Sequence, residues 1–324
     1  MSGLAREIRE EIARAGPLTF ARFMELALYH PRWGYYRRER DPFGVAGDYY
    51  TNAQLQPVFG RLIARQLAAW REELGAADFT VVEVGSGRGE TAAVVREALP
   101  GIRYVEVERG RGDLPDRVCG VVWSNEFFDA LPVHVARFAG GRWRERLVGV
   151  ECDRFVWVEA EGESPEVEAW LGRFVPEPAD GQLAEAGIEA LEWLERMAAS
   201  LDRGYVLTID YGYTAAEAGR SRAGSLMGYL RHTALEDVLA EPGQRDITAH
   251  VAFTALVEHG EGLGLEARPL VSQAKFLLAA GERDQLASAL AAANDAEERR
   301  HRMLLKTLLY GMGETFRVLV QRKR

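Results

Sequence analysis

The stretch Thr80–Glu90, TVVEVGSGRGE, decides the fold of this 324-residue chain. Its first five residues are β-branched or apolar apart from one glutamate, which is typical of a buried parallel strand. Three glycines follow at alternate positions, and residues 91–99, TAAVVREAL, have the pattern of a helix. A strand that ends on glycines and continues as a helix is the first turn of a doubly wound α/β unit. The stretch therefore predicts a ligand held against the glycine backbone and the helix N-terminus.

The spacing of the glycines separates two ligand classes. The dinucleotide fingerprint G-x-G-x-x-G requires a glycine at the position of Glu90. The chain instead reads E-x-G-x-G-x-G from Glu83 through Gly85 and Gly87 to Gly89, which resembles the first motif of the S-adenosylmethionine (SAM) methyltransferases. In that motif the loop passes the methionine moiety, whose carboxylate and amino group suit N–H donors and an acid. A tight structural turn and a nucleotide dehydrogenase remain the alternatives at this point.

A second strand, predicted over residues 101–108, carries an acid that could bind a ribose. Glu106 lies 21 residues after Gly85, close to the offset of about 20 residues expected for such an acid. A carboxylate has two acceptor oxygens, so it can bind both the 2′- and the 3′-hydroxyl. Glu108 is the alternative on the same strand, and a solvated strand end is the structural one.

Composition limits the partners of the chain. A formal net charge of −9 weighs against nucleic acid, whose phosphates are bound by Lys and Arg, and is compatible with a cationic substrate. The two cysteines have no metal-type spacing and indicate a reducing compartment. The sequence has no apolar run as long as a membrane span, and its first 15 residues lack the apolar core of a signal peptide. We therefore expect no metal site and a cytoplasmic protein.

Acidic residues follow two later strands at the edge where ligands of open α/β sheets bind. Asn125, Glu126 and Asp129 come directly after the predicted strand 118–123, and Asp210 ends the predicted strand 204–210. Asn125, Glu126 and Asp129 should face the reactive end of the cofactor, whereas an Asx-turn with solvated acids is the structural alternative.

The remaining pattern predicts an α/β fold with a Rossmann-like class I SAM-dependent methyltransferase sheet and helices on both faces. Few residues separate Glu108 from the next strand, so the sheet should be shortened after its second strand, because a parallel crossover needs a dozen residues or more. Helices at 18–30 and 54–70 form an N-terminal extension. The predicted domains are 1–76, with these helices and a cofactor-covering loop, and 77–324, with an insertion at about 133–200 that holds an antiparallel β excursion and a helix at 182–201.

With these residues in hand, the chain resembles the MidA-type family of SAM-dependent methyltransferases, which includes a mitochondrial protein-arginine methyltransferase required for assembly of respiratory complex I. The resemblance covers residues 18–319. The blocks that carry it are GYY at 34–36, GDYYT at 47–51, FG at 59–60, residues 83–89, YVE at 104–106, NEFFDALPV at 125–133, IDYG at 209–212, DITAHV at 246–251, MGE at 312–314 and 316–319.

The resemblance implies roles for individual residues. Cofactor contacts are implied for the glycine turn and for Gly47, Asp48, Thr51, Glu106 and Asn125, and the strand end at Asp113 and Leu114 would border the adenine. A substrate pocket is implied near Glu126, Asp129 and Asp210.

Besides the shortened segment after the second strand, the chain departs from the family pattern at two places. Asn52-Ala53-Gln54 replaces the usual Ser-Pro-Glu, and Ala252 replaces an acid.

The function expected from this resemblance is SAM-dependent methyl transfer, with SAM as cofactor and a protein arginine side chain as acceptor. The protein substrate could be a subunit of a respiratory complex. Two alternatives remain open at this stage. One is a SAM-binding assembly factor or scaffold with little turnover, and the other is a methyltransferase for a small molecule. The sequence contains no information on the oligomeric state.

Overall fold

The computed structural model describes residues 3–37, 52, 55–230 and 233–324. Its helices are α1 (Gly3–Ala15), α2 (Phe20–Tyr29), α3 (Val58–Leu74), α4 (Glu90–Ala98), α5 (Pro165–Phe174), α6 (Ile188–Ser200), α7 (Phe253–Gly262), α8 (Gln273–Gly281), α9 (Ala287–Leu290) and α10 (Asp295–Lys306). Its strands are β1 (Leu18–Thr19), β2 (Thr80–Val84), β3 (Arg103–Val107), β4 (Val118–Asn125), β5 (His134–Ala139), β6 (Arg142–Glu151), β7 (Arg154–Glu159), β8 (Leu183–Ala186), β9 (Leu201–Tyr213), β10 (Met227–Leu230), β11 (Thr233–Leu235), β12 (Asp246–Thr248), β13 (Val251–Ala252), β14 (Glu266–Ala267), β15 (Val271–Ser272) and β16 (Phe316–Lys323).

The main sheet has the predicted doubly wound arrangement. Its strand order is β14–β16–β9–β4–β2–β3, with β15 paired to β16. The strand β2 pairs in parallel with β3 and β4, and β4 pairs in parallel with β9. The last strand, β16, runs antiparallel to β9. The Rossmann-like α/β class predicted from the sequence is therefore confirmed.

The sheet is shortened after its second strand, as the residue count predicted. Residues 108–117 join β3 to β4 without a helix or a strand, and their turn is closed by a bridge between Glu108 and Arg111. In the described chain β3 pairs only with β2, so it forms an edge of the sheet. A crossover of this length has no room for the usual helix and further strand.

Helices cover both faces of this sheet. One face carries a core in which α3, α4, α8 and α10 contribute apolar side chains, including Leu67, Val95 and Leu277, to those of the strands. On the opposite face, Gln321 of β16 donates a hydrogen bond to the carbonyl of Leu256 in α7. Lys323 of the same strand reaches a carbonyl of α6.

Contacts divide the chain into two compact units that differ from the predicted domains. Unit one consists of Met1–Tyr50, Asp129–Glu192 and Tyr213–Ala255, and unit two of Thr51–Phe128, Trp193–Gly212 and Leu256–Arg324. The helices α1 and α2 bury their apolar faces in a core of unit one, whereas α3 buries its own in unit two. The predicted extension 1–76 is thus split between the two units, because its helices cover different cores.

Unit one contains the predicted antiparallel excursion. Strand β6 pairs antiparallel with β5, β7 and β1, and β8 pairs with the other edge of β5. The prediction of a helix over 182–201 was wrong at its start, because residues 183–186 form β8 and the helix begins at Ile188. Pairing with β5 outweighs the helix propensity of the sequence LAEA. Among the helices of the described residues, none combines the length and the apolar character of a membrane span.

A buried hydrogen-bond chain links the first three strands of the main sheet. The hydroxyl of Tyr104 donates to Oε2 of Glu83 over 2.7 Å, and the indole N–H of Trp123 donates to the same hydroxyl over 3.2 Å. Glu83 is only 4% exposed. Burial raises the pKa of Glu83 to about 8, and the nearby carboxylates of Glu106 and Glu108 add to the rise. Glu83 is therefore a protonated part of the core at neutral pH.

We predict that Glu83 makes the stability of the protein fall as the pH rises from about 4.5 to about 8. Over this interval the unfolded chain releases the proton of Glu83 while the folded chain keeps it, so ionisation favours unfolding. The Glu83→Gln variant imitates the protonated carboxyl and still offers an acceptor to Tyr104. Its free energy of unfolding, relative to wild type, should increase with pH across this interval and level off above it.

The measurement is urea-induced unfolding of both proteins over a series of pH values. The control is Glu97→Gln, which changes an exposed glutamate of α4 and should alter the free energy of unfolding by no more than about 0.5 kcal/mol. A Glu83→Gln difference that is the same at both ends of the interval would contradict the buried, protonated state.

Candidate functional site

The glycine turn after β2 has the backbone conformation that the sequence motif requires. Gly85, Gly87 and Gly89 have φ values of +75°, +58° and +71°, which only glycine adopts readily. The N–H of Gly85 donates to the carbonyl of Val107 over 2.8 Å, which ties the turn to the end of β3. The turn leads directly into α4, whose first N–H groups and partial positive charge lie at the carboxyl end of β2.

Neighbouring side chains lie close to two glycines of the turn. A Cβ on Gly85 would lie 2.7 Å from a ring carbon of Phe127, and one on Gly89 would lie 2.6 Å from Oε2 of Glu106. Gly85 is therefore fixed by packing against a buried ring as well as by its backbone conformation, whereas Gly89 is fixed by its conformation and lies against the movable end of an exposed side chain. The turn is a concave backbone surface next to a carboxylate.

Two glutamates at the end of β3 face this turn. Glu106 is exposed, lies against Gly89, and accepts a hydrogen bond of 2.7 Å from the guanidinium of Arg96 in α4. Glu108 accepts the N–H of Gly87 over 2.6 Å and the hydroxyl of Ser86 over 3.0 Å. Both acids named for the ribose hydroxyls thus lie beside the turn, and the choice of Glu106 over Glu108 stays a prediction.

The turn and its acids suit two of the polar parts of SAM, the methionine carboxylate and the ribose hydroxyls. The N–H groups at the start of α4 can bind the methionine carboxylate, and an exposed glutamate beside Gly89 can accept from ribose hydroxyls. Glu83, the acid predicted for the methionine amino group, is instead bonded to Tyr104 inside the core. Its contact with the cofactor stays a prediction.

Other predicted cofactor residues are less defined. Gly47, Asp48 and Thr51 lie outside the described residues. Asp113 is exposed and Leu114 is half-buried, and both belong to the irregular segment between β3 and β4. Their predicted place near the adenine stays a prediction.

Glu126 is held in a strained conformation at the carboxyl end of β4. Its φ of +52° lies in the left-handed region, which is unfavourable for a residue with a side chain. Its backbone N–H donates to the carbonyl of Ile209 over 3.0 Å. Oε1 of its carboxylate accepts the N–H of Asn52 over 2.7 Å and the amide Nδ2 of Asn125 over 3.0 Å. The strain and the hydrogen bonds together fix the direction of a half-buried carboxylate.

Asp210 is fully buried and bonded to the backbone. Its Oδ2 accepts the N–H of Phe128 over 3.0 Å, and its Oδ1 accepts the N–H of Tyr211 over 2.9 Å. These bonds connect the end of β9 to the turn that follows Glu126. The geometry gives Asp210 a structural task, and its predicted role toward an acceptor stays a prediction.

Asp129 belongs to unit one, where it neighbours another buried acid. Its carbonyl accepts the N–H of Ala249 over 2.9 Å. Asp246 accepts the hydroxyl of Tyr36 over 2.9 Å. Burial raises the pKa of the Tyr229 hydroxyl, and the charges of Asp129 and Asp246 raise it further. Unit one thus holds two carboxylates close to one phenol.

In the described part of the chain no cluster of His, Cys, Asp or Glu could hold a metal ion.

The sequence analysis missed two amide side chains of the hydrogen-bond network that leads to Glu126. Asn52 was noted only as a departure from the family pattern, and Gln273 was not singled out, although the two side chains are hydrogen-bonded to each other. They are 221 positions apart, so no local pattern could have paired them.

The comparisons with known proteins agree with this geometry. The sequence profile of the family described as "Putative S-adenosyl-L-methionine-dependent methyltransferase" matches residues 104–271. A COG1565 superfamily member from Burkholderia thailandensis, solved with S-adenosyl-homocysteine bound, is 32% identical, with a TM-score of 0.89 over 99% of this chain and 92% of that chain. A native structure of a COG1565 protein from the same organism gives a TM-score of 0.86 at 32% identity, over 99% of this chain and 91% of that one.

Named relatives belong to one group of enzymes. "Protein arginine methyltransferase NDUFAF7 homolog, mitochondrial" of Drosophila melanogaster is 29% identical over 79% of this chain and 69% of its own length. The human "Protein arginine methyltransferase NDUFAF7, mitochondrial" is 27% identical over 80% of this chain and 69% of its own length. The glycine turn with its acids and these matches together identify the chain as a member of the SAM-dependent methyltransferase family, with SAM as its cofactor, as the resemblance to the MidA-type enzymes predicted.

Proposed function

We propose that this methyltransferase transfers the methyl group of SAM to a nitrogen of a protein arginine side chain. The observation that carries the proposal is the fixed carboxylate of Glu126, at the sheet edge where ligands of this fold bind. The names of the Drosophila and human relatives support an arginine acceptor. The net charge of −9 is compatible with a cationic protein substrate.

An arginine acceptor requires a carboxylate that orients it. The guanidinium is always protonated in water and presents its donors in a planar fork, which matches the two oxygens of a carboxylate. When bound, SAM supplies a methyl group on a sulfonium, which leaves as S-adenosyl-homocysteine. Glu126 would hold the guanidinium plane, localise its charge away from the attacking nitrogen, and stabilise the positive charge that arrives there. The reaction releases one proton from the guanidinium nitrogen that is methylated.

Asp129 remains a predicted second acid toward the acceptor. It is buried beside Tyr229 in unit one, and the nearby Asp246 adds a further negative charge. A respiratory-complex subunit as the protein substrate and a cytoplasmic location remain predictions.

We expect Glu126→Gln to lose methyl transfer while it keeps its affinity for SAM. Glutamine retains an acceptor oxygen for Asn52 and Asn125, so the local structure persists, but the charge that orients a guanidinium is gone. The expected change is a kcat lower by about hundredfold, with a dissociation constant for SAM within about threefold of wild type. Calorimetric titration measures the affinity, and incorporation of radiolabelled methyl into a lysate of a strain lacking this gene measures the transfer.

The matched control is Glu177→Gln. Glu177 is an exposed glutamate with a similar left-handed φ of +53°, and its substitution should leave transfer and affinity unchanged. Full activity of Glu126→Gln would remove Glu126 from the mechanism.

The acceptor itself is tested by the chemical form of the label. After wild-type protein has methylated the lysate, acid hydrolysis and amino-acid analysis should recover the label as methylarginine in one or a few proteins. Label recovered in another amino acid or in small molecules would contradict the arginine acceptor, although SAM-dependent transfer would stand.

A further inference from the structure

We infer that Gln273 is a positioning residue of the methyltransferase, which acts through Asn52 to fix the carboxylate of Glu126. The inference rests on the role proposed above for Glu126. Gln273 is the first residue of α8, and its side chain is fully buried. The distances below connect it to Glu126 by two steps of hydrogen bonding.

The first step is a reciprocal amide pair between Gln273 and Asn52. Nδ2 of Asn52 donates to Oε1 of Gln273 over 2.7 Å, and Nε2 of Gln273 donates to Oδ1 of Asn52 over 3.0 Å. Both side chains are 0% exposed. A pair of this kind fixes the orientation of both amides, because a flip of either one would place donor against donor and acceptor against acceptor. In a buried site the loss of these bonds is costly.

The second step leads from Asn52 to the reactive edge of the sheet. The second hydrogen on Nδ2 of Asn52 reaches Oδ1 of Asn125 over 2.9 Å, and the backbone N–H of Asn52 donates to Oε1 of Glu126 over 2.7 Å. Asn125 then donates its own Nδ2 to the same oxygen of Glu126 over 3.0 Å. Every polar atom of the Asn52 side chain is thus used, and Glu126 is reached both directly and through Asn125.

Gln273 can act as an anchor because its own backbone is held in place. The hydroxyl of Ser272 caps α8 by accepting the N–H of Lys275, and the N–H of Ala274 donates to the carbonyl of Gly313 over 3.0 Å. The following residues of α8, including Phe276 and Leu277, are buried in the main core. The core thereby holds Gln273 in place, and the amide pair holds Asn52 against it.

Substitution of Gln273 should lower kcat while the affinity for the cofactor stays almost unchanged. Glu126 has an unfavourable φ, so its conformation persists only where its surroundings impose it. Loss of the amide pair frees Asn52 and lets the carboxylate leave its position. Small displacements of groups that orient a reacting partner can cost up to about hundredfold in rate.

The test compares Gln273→Met with Gln321→Met. Gln321 is an equally buried glutamine of β16, and its Nε2 bonds the carbonyl of Leu256 over 3.1 Å, away from the Asn52 network. Both substitutions should lower the melting temperature. Only Gln273→Met should lower kcat, by about tenfold or more at saturating SAM, with the dissociation constant for S-adenosyl-homocysteine within about threefold of wild type.

A coupled variant separates positioning from general destabilisation. Because the described hydrogen bonds link Gln273 to Glu126 through Asn52, Gln273→Met should add little further loss of kcat in an Asn52→Leu background, whereas Gln321→Met should behave the same in both backgrounds. If Gln273→Met fails to fold, Gln273→Asn replaces it in the test. Asparagine keeps the amide but is shorter by one methylene, so it should show the same loss of kcat. Equal kcat for Gln273→Met and Gln321→Met, or additive losses with Asn52→Leu, would overturn the inference.

A crystal structure of the Gln273 variant distinguishes this inference from the proposed function. The Glu126 carboxylate should leave the backbone N–H of residue 52. If it does so while arginine methylation continues at the wild-type rate, Gln273 positions Glu126 but the proposed role of Glu126 fails. If the carboxylate stays in place, the positioning role fails, whatever the acceptor proves to be.

Discussion

The left-handed glycine turn between β2 and α4 is the constraint on which the rest of the site depends. Three positive φ values make the backbone concave, and packing against the buried ring of Phe127 excludes a Cβ at Gly85. The turn therefore brings a helix N-terminus and the carboxylates of Glu106 and Glu108 to one edge of the sheet. A ligand with a carboxylate and ribose hydroxyls fits this edge, whereas Glu90 breaks the pattern of a dinucleotide site.

A second constraint governs the acid that would meet the acceptor. Glu126 occupies an unfavourable backbone conformation, which the hydrogen bond to Ile209 and the amides of Asn52 and Asn125 compensate. A conformation of this kind persists only where the surroundings impose it. The amide network connects this acid to the N-terminus of α8, and hence to the main core. Asp210 fastens the following turn by accepting the N–H of Phe128.

The sequence predicted what local pattern and chain length determine. The strand, glycine turn and helix at 80–98 follow from residue periodicity, and the shortened sheet follows from the few residues between β3 and β4. Long-range pairing was beyond this reasoning. Residues 183–186 look helical but pair with β5, and Asn52 meets Gln273 across 221 positions. The sequence predicted Glu83 as a ligand contact, and only the structure shows its hydrogen bond with Tyr104.

The most direct test of the glycine turn as the cofactor site is a crystal structure of the wild-type protein with S-adenosyl-homocysteine. The account predicts that the nucleoside lies along residues 85–89, with its ribose hydroxyls within hydrogen-bond distance of the Glu106 carboxylate and its amino-acid end toward the start of α4. A nucleoside bound away from this turn, or a ribose that no carboxylate of β3 contacts, would contradict it.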